Sequence, residues 1–175
     1  SPRVTTSTAI TTTPAQGFTR ASTTSASWRT DDPDGAATQY TNARIDITES
    51  KTGPVEYGFA AAANNLVLRC SAMPLNSFGY FLTSLQQAST PNPGGSAGVL
   101  CIGGAIGRYV GPGQVQNSQS SGAISLAVDL TMHPTPTGFV VVQAGSTWNF
   151  TCWFRDSVGG TATSNFANGL EIDFQ

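Results

Sequence analysis

The chain has 175 residues, of which only 10% are charged, and its net charge at pH 7 is −2. That length suits one domain, or one domain with a small annex. The composition argues against nucleic acid as a partner, because the chain has a single lysine, Lys51, and no cluster of positive charge. It also argues against a membrane span, because the longest apolar stretches are far shorter than the roughly 18 residues that a span requires.

Residues 1–38 form a segment that is rich in Ser and Thr and poor in large apolar side chains. β-Branched residues favour extended backbone, so the runs Val4–Thr13 and Phe18–Trp28 are predicted to be β-prone. A disordered stalk of the Ser/Thr-rich kind is the alternative interpretation. We predict that this N-terminal strand segment ends at residue 38 and that residues 39–175 form the main domain.

From residue 43 onward the sequence repeatedly alternates apolar and polar residues. Successive side chains of a β-strand point to opposite faces, so this period of two predicts strands with one buried and one solvated face. No window places apolar residues at helical spacing over three turns. The residues predicted to face a core are Ala43, Ile45 and Ile47; Leu66, Leu68 and Cys70; Trp148, Phe150, Cys152 and Phe154; and Leu170, Ile172 and Phe174.

Turn-forming residues separate the alternating runs. Gly and Pro cluster at residues 91–95, 111–113 and 133–136, among other places. Gly permits positive φ and Pro fixes φ near about −65°, so both interrupt strands. Many short strands between turns indicate an all-β protein, and we predict an antiparallel β-sandwich of the jelly-roll or immunoglobulin-like kind. The apolar run Phe139–Val142 is short enough to fit one of these strands.

An ordered series of motifs from Asn64 onward resembles a known domain. The motifs are Asn65–Leu68, Pro74–Phe81, Gly94–Tyr109, Asp129–Thr131, Pro134–Gly138, Ala144–Asp156 and Gly159–Phe166, followed by a closing strand that begins at Gly169-Leu170. The series is similar to the uncharacterised C-terminal β-domain of secreted proteins from planctomycete-type and related marine bacteria. The resemblance implies an extracellular location and a β-sandwich, and it brings no known activity and no catalytic residues.

The three cysteines, Cys70, Cys101 and Cys152, allow one disulfide in three pairings. Members of the family that the chain resembles have other residues at the positions of Cys70 and Cys152. Their cysteine near the position of Cys101 pairs with an upstream cysteine that this chain lacks. On this comparison we predict a Cys70–Cys152 disulfide inside the sandwich, since both lie on apolar strand faces. It would close a loop of about 80 residues and stabilise the fold by a few kcal/mol in the chain-entropy model.

The sequence gives little sign of a catalytic site. Its one histidine, His133, lies between Met132 and Pro134 and is predicted to be a solvated turn residue rather than the base of a Ser-His-Asp triad. The carboxylates are scattered along strands and strand ends. There, solvation or pairing with arginine is the expected role, as for Asp156 beside Arg155. We therefore predict that the protein is not an enzyme.

Calcium is the one cofactor that the sequence suggests. Asp31, Asp32 and Asp34, followed by Gly35, offer oxygen ligands in a turn, and Ca²⁺ prefers oxygen ligands. The segment lacks the closing Glu of an EF-hand loop, and Asx-Pro turns are common without a metal. Both interpretations of this turn remain open at the level of sequence.

Three aromatic residues are candidates for contact with a ligand or a partner. Trp153 is predicted to point away from the apolar face of its strand, and Trp28 and Tyr109 lie near turns. Exposed Trp and Tyr stack on sugar rings or anchor protein interfaces. The alternative is that a second sheet or the N-terminal segment covers this face.

We predict a secreted structural subunit that assembles with copies of itself. The low charge and the start at Ser1, interpreted as a mature N-terminus, favour secretion. A β-prone N-terminal strand can pair with the exposed sheet edge of a neighbour, and such head-to-tail contacts propagate into filaments. The residues assigned to this assembly strand are Val4, Thr6, Thr8, Ile10 and Thr12.

Two other functions remain open at the level of sequence. The first is a carbohydrate-binding or adhesive module that holds an extracellular glycan on its exposed aromatic residues. The second is a viral jelly-roll coat protein, although the chain lacks a basic arm for packaging nucleic acid.

Overall fold

The structure is a computed structural model that describes residues 11–13, 18–20, 25–28, 44–49 and 60–175. Of the first four strands it describes the backbone and the side chain of Ile45. These parts of the chain consist mainly of antiparallel strands, which confirms the prediction of an all-β protein. Their helical elements are three short 3₁₀ turns, Ala61–Ala63, Pro93–Gly95 and Gln119–Ser121. No helix among the described residues is long and apolar enough to cross a bilayer.

The described residues contain sixteen strands, which pair into five open sheets. In chain order they are β1 (Thr11–Thr13), β2 (Phe18–Arg20), β3 (Ser25–Trp28), β4 (Arg44–Glu49), β5 (Leu66–Ser71), β6 (Phe78–Ser84), β7 (Gln86–Pro91), β8 (Val99–Gly103), β9 (Gly107–Arg108), β10 (Gln116–Asn117), β11 (Ile124–Ala127), β12 (His133–Thr135), β13 (Gly138–Val140), β14 (Thr147–Val158), β15 (Thr161–Phe166) and β16 (Gly169–Asp173).

The largest sheet has seven strands and is organised around β14. Its main path is β10-β6-β14-β16-β3, with β15 also paired to β14 and β9 paired to β6. β14 is 12 residues long, and alternate residues along it face two different environments. A second sheet has the order β11-β5-β4, with β5 in the centre.

Residues of both sheets contribute to one cluster of buried apolar side chains. Burying each large aliphatic or aromatic side chain stabilises the fold by about 1.5–3 kcal/mol, so this cluster is the main source of stability. The period of two therefore identified the buried apolar face correctly wherever the side chains are described. The opposite face of β14 was predicted to be solvated, and this is wrong at Asn149 and Thr151, which are buried. The predicted core residues found buried are Ile45, Leu66, Leu68, Cys70, Trp148, Phe150, Cys152, Phe154, Leu170, Ile172 and Phe174.

Part of the predicted N-terminal segment belongs to the main sheet. β3, at residues 25–28, pairs with β16 of the same chain, with Trp28 opposite Gly169. β1 and β2 form a separate pair in which Thr12 lies opposite Thr19. The segment assigned to residues 1–38 thus contributes an edge strand to the seven-stranded sheet of its own chain.

Two β-hairpins flank the sheets and position the surfaces described next. The hairpin of β7 and β8 packs on the outer face of the seven-stranded sheet through a second, smaller cluster of Leu82, Cys101 and Ile102. The hairpin of β12 and β13 begins beside β9 and β6 and is paired to no other strand of the described residues.

Candidate functional site

The β12–β13 hairpin exposes four apolar side chains. Relative exposure is 65% for Phe139, 54% for Val141, 53% for Met132 and 39% for Val140. These four residues are called the apolar tip below. Phe139 and Val140 are adjacent on β13 and point to opposite faces, yet both are exposed, so the strand is uncovered on both sides.

The outer edge of β13 is not covered by any other strand that the structure describes. β13 pairs with β12 through Pro134 opposite Phe139 and His133 opposite Val140, and no other strand among the described residues pairs with it. An exposed edge strand is a template for pairing with another chain, and proteins commonly protect such edges with charges or proline. β13 itself carries neither a charged residue nor a proline.

The base of the same hairpin is buried and polar. His133 is 0% exposed; its Nε2 lies 2.9 Å from Thr83 Oγ1 and its Nδ1 lies 2.9 Å from Tyr109 Oη. The imidazole also packs on Trp148, with ring centroids 4.1 Å apart. The prediction that His133 is a solvated turn residue is wrong. Each of its ring nitrogens has a hydroxyl partner, so burial leaves neither nitrogen unpaired.

Burial keeps this polar group of side chains uncharged. It lowers the pKa of His133 to about 4, so the ring is neutral at physiological pH. Burial likewise raises the pKa of Tyr109 far above its ordinary value. A neutral imidazole carries one donor and one acceptor nitrogen, which the two hydroxyls match by rotating. The network therefore positions the hairpin through uncharged hydrogen bonds.

Tyr109 was predicted to be an exposed ligand-binding aromatic, and this prediction is wrong. It is 2% exposed, and its ring meets that of His133 edge-on at 5.8 Å. Its position near a glycine-rich turn suggested exposure, but its hydroxyl is required inside the protein as the partner of His133.

Close backbone packing also anchors the hairpin. A Cβ atom at Gly107 in β9 would overlap the carbonyl oxygen of Pro134 in β12. Only glycine permits two backbones to approach this closely. The base of the hairpin is therefore fixed by packing against β9 and by the hydrogen bonds of His133.

A second surface contains a row of three aromatic residues. In the register of the seven-stranded sheet, Trp153 of β14 lies directly opposite Tyr80 of β6 and Phe166 of β15. Residues in such cross-strand pairs point to the same face. The Tyr80 and Trp153 rings lie 5.0 Å apart at an interplanar angle of 35°. All three rings are half-buried and pack on the small cluster beneath the β7–β8 hairpin, which covers part of this face.

The cysteines are divided between the two clusters. Cys70 and Cys152 are both 0% exposed in the cluster between the two sheets, whereas Cys101 belongs to the small cluster on the other side of β14. Burial raises the pKa of the Cys152 thiol, and contact with the Cys70 thiol raises it further. The two cysteines predicted to form a disulfide are therefore neighbours, and both are thiols in this structure.

A Gly-x-Ser-x-Gly sequence at Gly94–Gly98 has none of the geometry of a nucleophile elbow. It lies in the loop of the β7–β8 hairpin and not between a strand and a helix. Ser96 is 3% exposed, and its hydroxyl donates a 2.7 Å hydrogen bond to the Ser164 carbonyl. A Cβ at Gly98 would overlap the side chain of Asn165, so this glycine permits the loop to pack on β15. The motif is a packing element.

The remaining predicted site residues lie at or beyond the limits of the described structure. Trp28 is placed on β3 by its backbone alone, and the candidate calcium turn lies outside the described residues, as do four residues of the assembly strand. No group of three or more His, Cys, Asp or Glu within the described parts of the chain is arranged to hold a metal. The predicted site residues that lie outside the described structure are Val4, Thr6, Thr8, Ile10, Asp31, Asp32 and Asp34.

No family model matches the chain, and neither does any curated protein or solved structure. The resemblance to the secreted domain of marine bacteria stays a prediction.

Proposed function

We propose that this protein is a secreted, non-catalytic structural subunit that self-assembles by strand addition, with the outer edge of β13 as the acceptor. The observation that carries the proposal is the exposed apolar edge of β13, where Phe139 is 65% and Val141 is 54% exposed. The donor is the β-prone segment Val4–Ile10 of a neighbouring copy.

The chemistry of the two partners is complementary. An added strand satisfies the free backbone groups of β13, and its alternating side chains cover the apolar tip on both faces. Burying the exposed parts of Phe139, Val140 and Val141 would contribute about 1 kcal/mol or more for each side chain. The donor segment has the matching pattern, with Val4 and Ile10 among small Thr residues that pack on a pleated surface.

The proposed contact joins two different surfaces of the subunit. A head-to-tail contact of this kind leaves an unused donor at one end and an unused acceptor at the other, so it propagates into a filament unless the rotation closes a ring. The expected partner is therefore another copy of the chain.

We also propose that the two main sheets form a β-sandwich and that the protein functions outside the cell. The shared apolar cluster between the inner faces of the β11-β5-β4 sheet and the β14 sheet supports the sandwich. The low content of charged residues and the resemblance to a secreted domain support the location.

Assembly is tested with two variants that remove one partner each. Deletion of residues 1–10 removes the donor and retains β1, and Phe139→Lys places a charge on the acceptor edge. Leu85→Lys is the matched control, since Leu85 is 61% exposed and lies outside the hairpin. Light scattering and negative-stain imaging should show filaments or rings for the wild type and the control only. Monodisperse wild-type monomers at every concentration, or a Phe139→Lys protein that assembles normally, would contradict the proposal.

A second candidate function is glycan binding by the row of Tyr80, Trp153 and Phe166. The specific observation in its favour is the shared face and the cross-strand register of three half-buried rings, because rows of aromatic faces stack on sugar rings. Glycan-array binding by wild type that Trp153→Ala abolishes and Phe139→Lys retains would support this function. Absence of binding to any glycan would rule out glycan binding as the function.

A further inference from the structure

Cys70 and Cys152 occupy corresponding positions at the centre of the two facing sheets. Cys70 lies on β5, the central strand of its sheet, and Cys152 lies on β14, which has strands on both sides. Both side chains are 0% exposed in the same apolar cluster. Their thiols contact each other across the space between the sheets.

We propose that Cys70 and Cys152 form a disulfide that links the two sheets covalently in the mature protein. The third cysteine does not compete for either partner, because Cys101 packs with Leu82 and Ile102 on the opposite side of the seven-stranded sheet. Of the three pairings that the sequence allows, the fold brings together one.

Formation of the bond requires a two-electron oxidant. In this proposal the oxidant is a small-molecule or protein disulfide. The thiolate of one cysteine attacks the oxidant's S–S bond, forms a mixed disulfide and releases one thiol. The thiolate of the second cysteine then attacks the mixed disulfide, forms the Cys70–Cys152 bond and releases the second thiol. The protein loses two protons and two electrons, and the oxidant is reduced to two thiols.

Oxidation must accompany folding and cannot follow it easily. The reactive species is the thiolate, and both thiols are sealed in an apolar cluster that disfavours charge. A large oxidant has no access once the sheets have closed. The proposed bond is therefore a permanent structural link, formed as the two sheets meet, and not a switch of the folded protein.

The test refolds the full chain from guanidinium in a buffer of oxidised and reduced glutathione. We expect a mass lower by two hydrogen atoms, one titratable thiol per chain instead of three, and a Cys70–Cys152 peptide in a non-reducing digest. The oxidised protein should melt roughly 10 °C above the reduced protein, because the bond closes a long loop in the unfolded chain.

Two variants distinguish this pairing from the others. Cys101→Ala should retain the mass change and the difference in melting temperature between the oxidised and reduced forms, whereas a Cys70→Ala/Cys152→Ala double variant should lose both. Three titratable thiols after oxidative refolding, or a cross-linked peptide that contains Cys101, would overturn the proposal. The wild-type measurements decide the question even if the double variant does not fold.

Discussion

The base and the tip of the β12–β13 hairpin reverse the usual relation between polarity and burial. The base buries a histidine, with its ring nitrogens matched to Thr83 and Tyr109. The apolar tip lies on the neighbouring strand, with Val140 directly opposite His133, and exposes Phe139 and Val141. Proteins bury polar side chains when their hydrogen bonds are satisfied, and exposed apolar patches commonly mark interaction surfaces. Under the proposed function, the base maintains the fold and the tip is the acceptor for a neighbouring copy.

The largest expected effect at the base comes from His133→Ala. The substitution leaves a cavity against Trp148 and removes the partner of both the Thr83 and Tyr109 hydroxyls. We expect the free energy of unfolding to fall by about 4 kcal/mol. Guanidinium denaturation followed by circular dichroism measures it, with Leu85→Ala as the exposed control. A loss below about 1 kcal/mol would show that the base does not hold the fold.

A smaller effect at the base is expected from acid. The pKa of His133 is lowered to about 4 in the folded protein from an ordinary value of 6.5. As the pH falls from about 6.5 to 4, His133 therefore binds a proton in the unfolded chain but not in the folded chain. The free energy of unfolding should fall by about 3 kcal/mol across this window, and this contribution is absent above it.

The control for the acid effect is His133→Gln, which retains hydrogen-bonding groups and does not titrate. Carboxylates titrate in the wild type and in the variant alike. The difference between the two curves of unfolding free energy against pH is therefore the contribution of His133. Denaturation at a series of pH values measures both curves. Parallel curves between pH 6.5 and 4 would mean that His133 binds its proton equally well in the folded and unfolded chain.

Tyr109→Phe should have a moderate effect. It retains the ring and removes the hydroxyl that lies 2.9 Å from His133 Nδ1. Leaving that nitrogen without a partner should cost about 1–2 kcal/mol of folding free energy. A double-mutant cycle with His133→Ala, which removes both ring nitrogens, should give a coupling energy of similar size. Additive losses in the cycle would indicate that the two groups do not interact.

The smallest effect on stability is expected at the tip. Phe139→Lys changes a side chain that is 65% exposed, so the free energy of unfolding should change by less than about 0.5 kcal/mol. The same variant should lose assembly. Chemical denaturation and light scattering on one sample separate the two properties. A large loss of stability would mean that the tip is part of the fold and would remove the contrast with the base.

The sequence predicted the core better than it predicted the hairpin. Alternation along β5 and β14 identified side chains that are buried, because burial on one face of a strand follows directly from the period of two. The run Phe139–Val142 was expected to be a strand, and β13 includes its first two residues. A continuous apolar run is typical of a strand buried on both faces, yet of this run only Val142 is buried.

The base of the hairpin could not be predicted from local pattern. His133 precedes a proline and belongs to no alternating run, so its sequence neighbours indicate a turn. Its burial depends on Thr83, 50 residues earlier in the chain, and on Tyr109, 24 residues earlier. Such long-range partners are fixed by the packing of β6 and β9 beside β12, which no local signal encodes.

The close contact between Gly107 and Pro134 bears on how tightly a neighbouring copy would bind in the proposed assembly. Association is opposed by the entropy lost when flexible segments become ordered, at about 0.5–1.5 kcal/mol for each immobilised side chain. Because the hairpin backbone is already fixed at its base, an incoming strand meets a β13 that is pre-organised in its bound conformation. Most of the ordering entropy is then lost by the incoming strand alone.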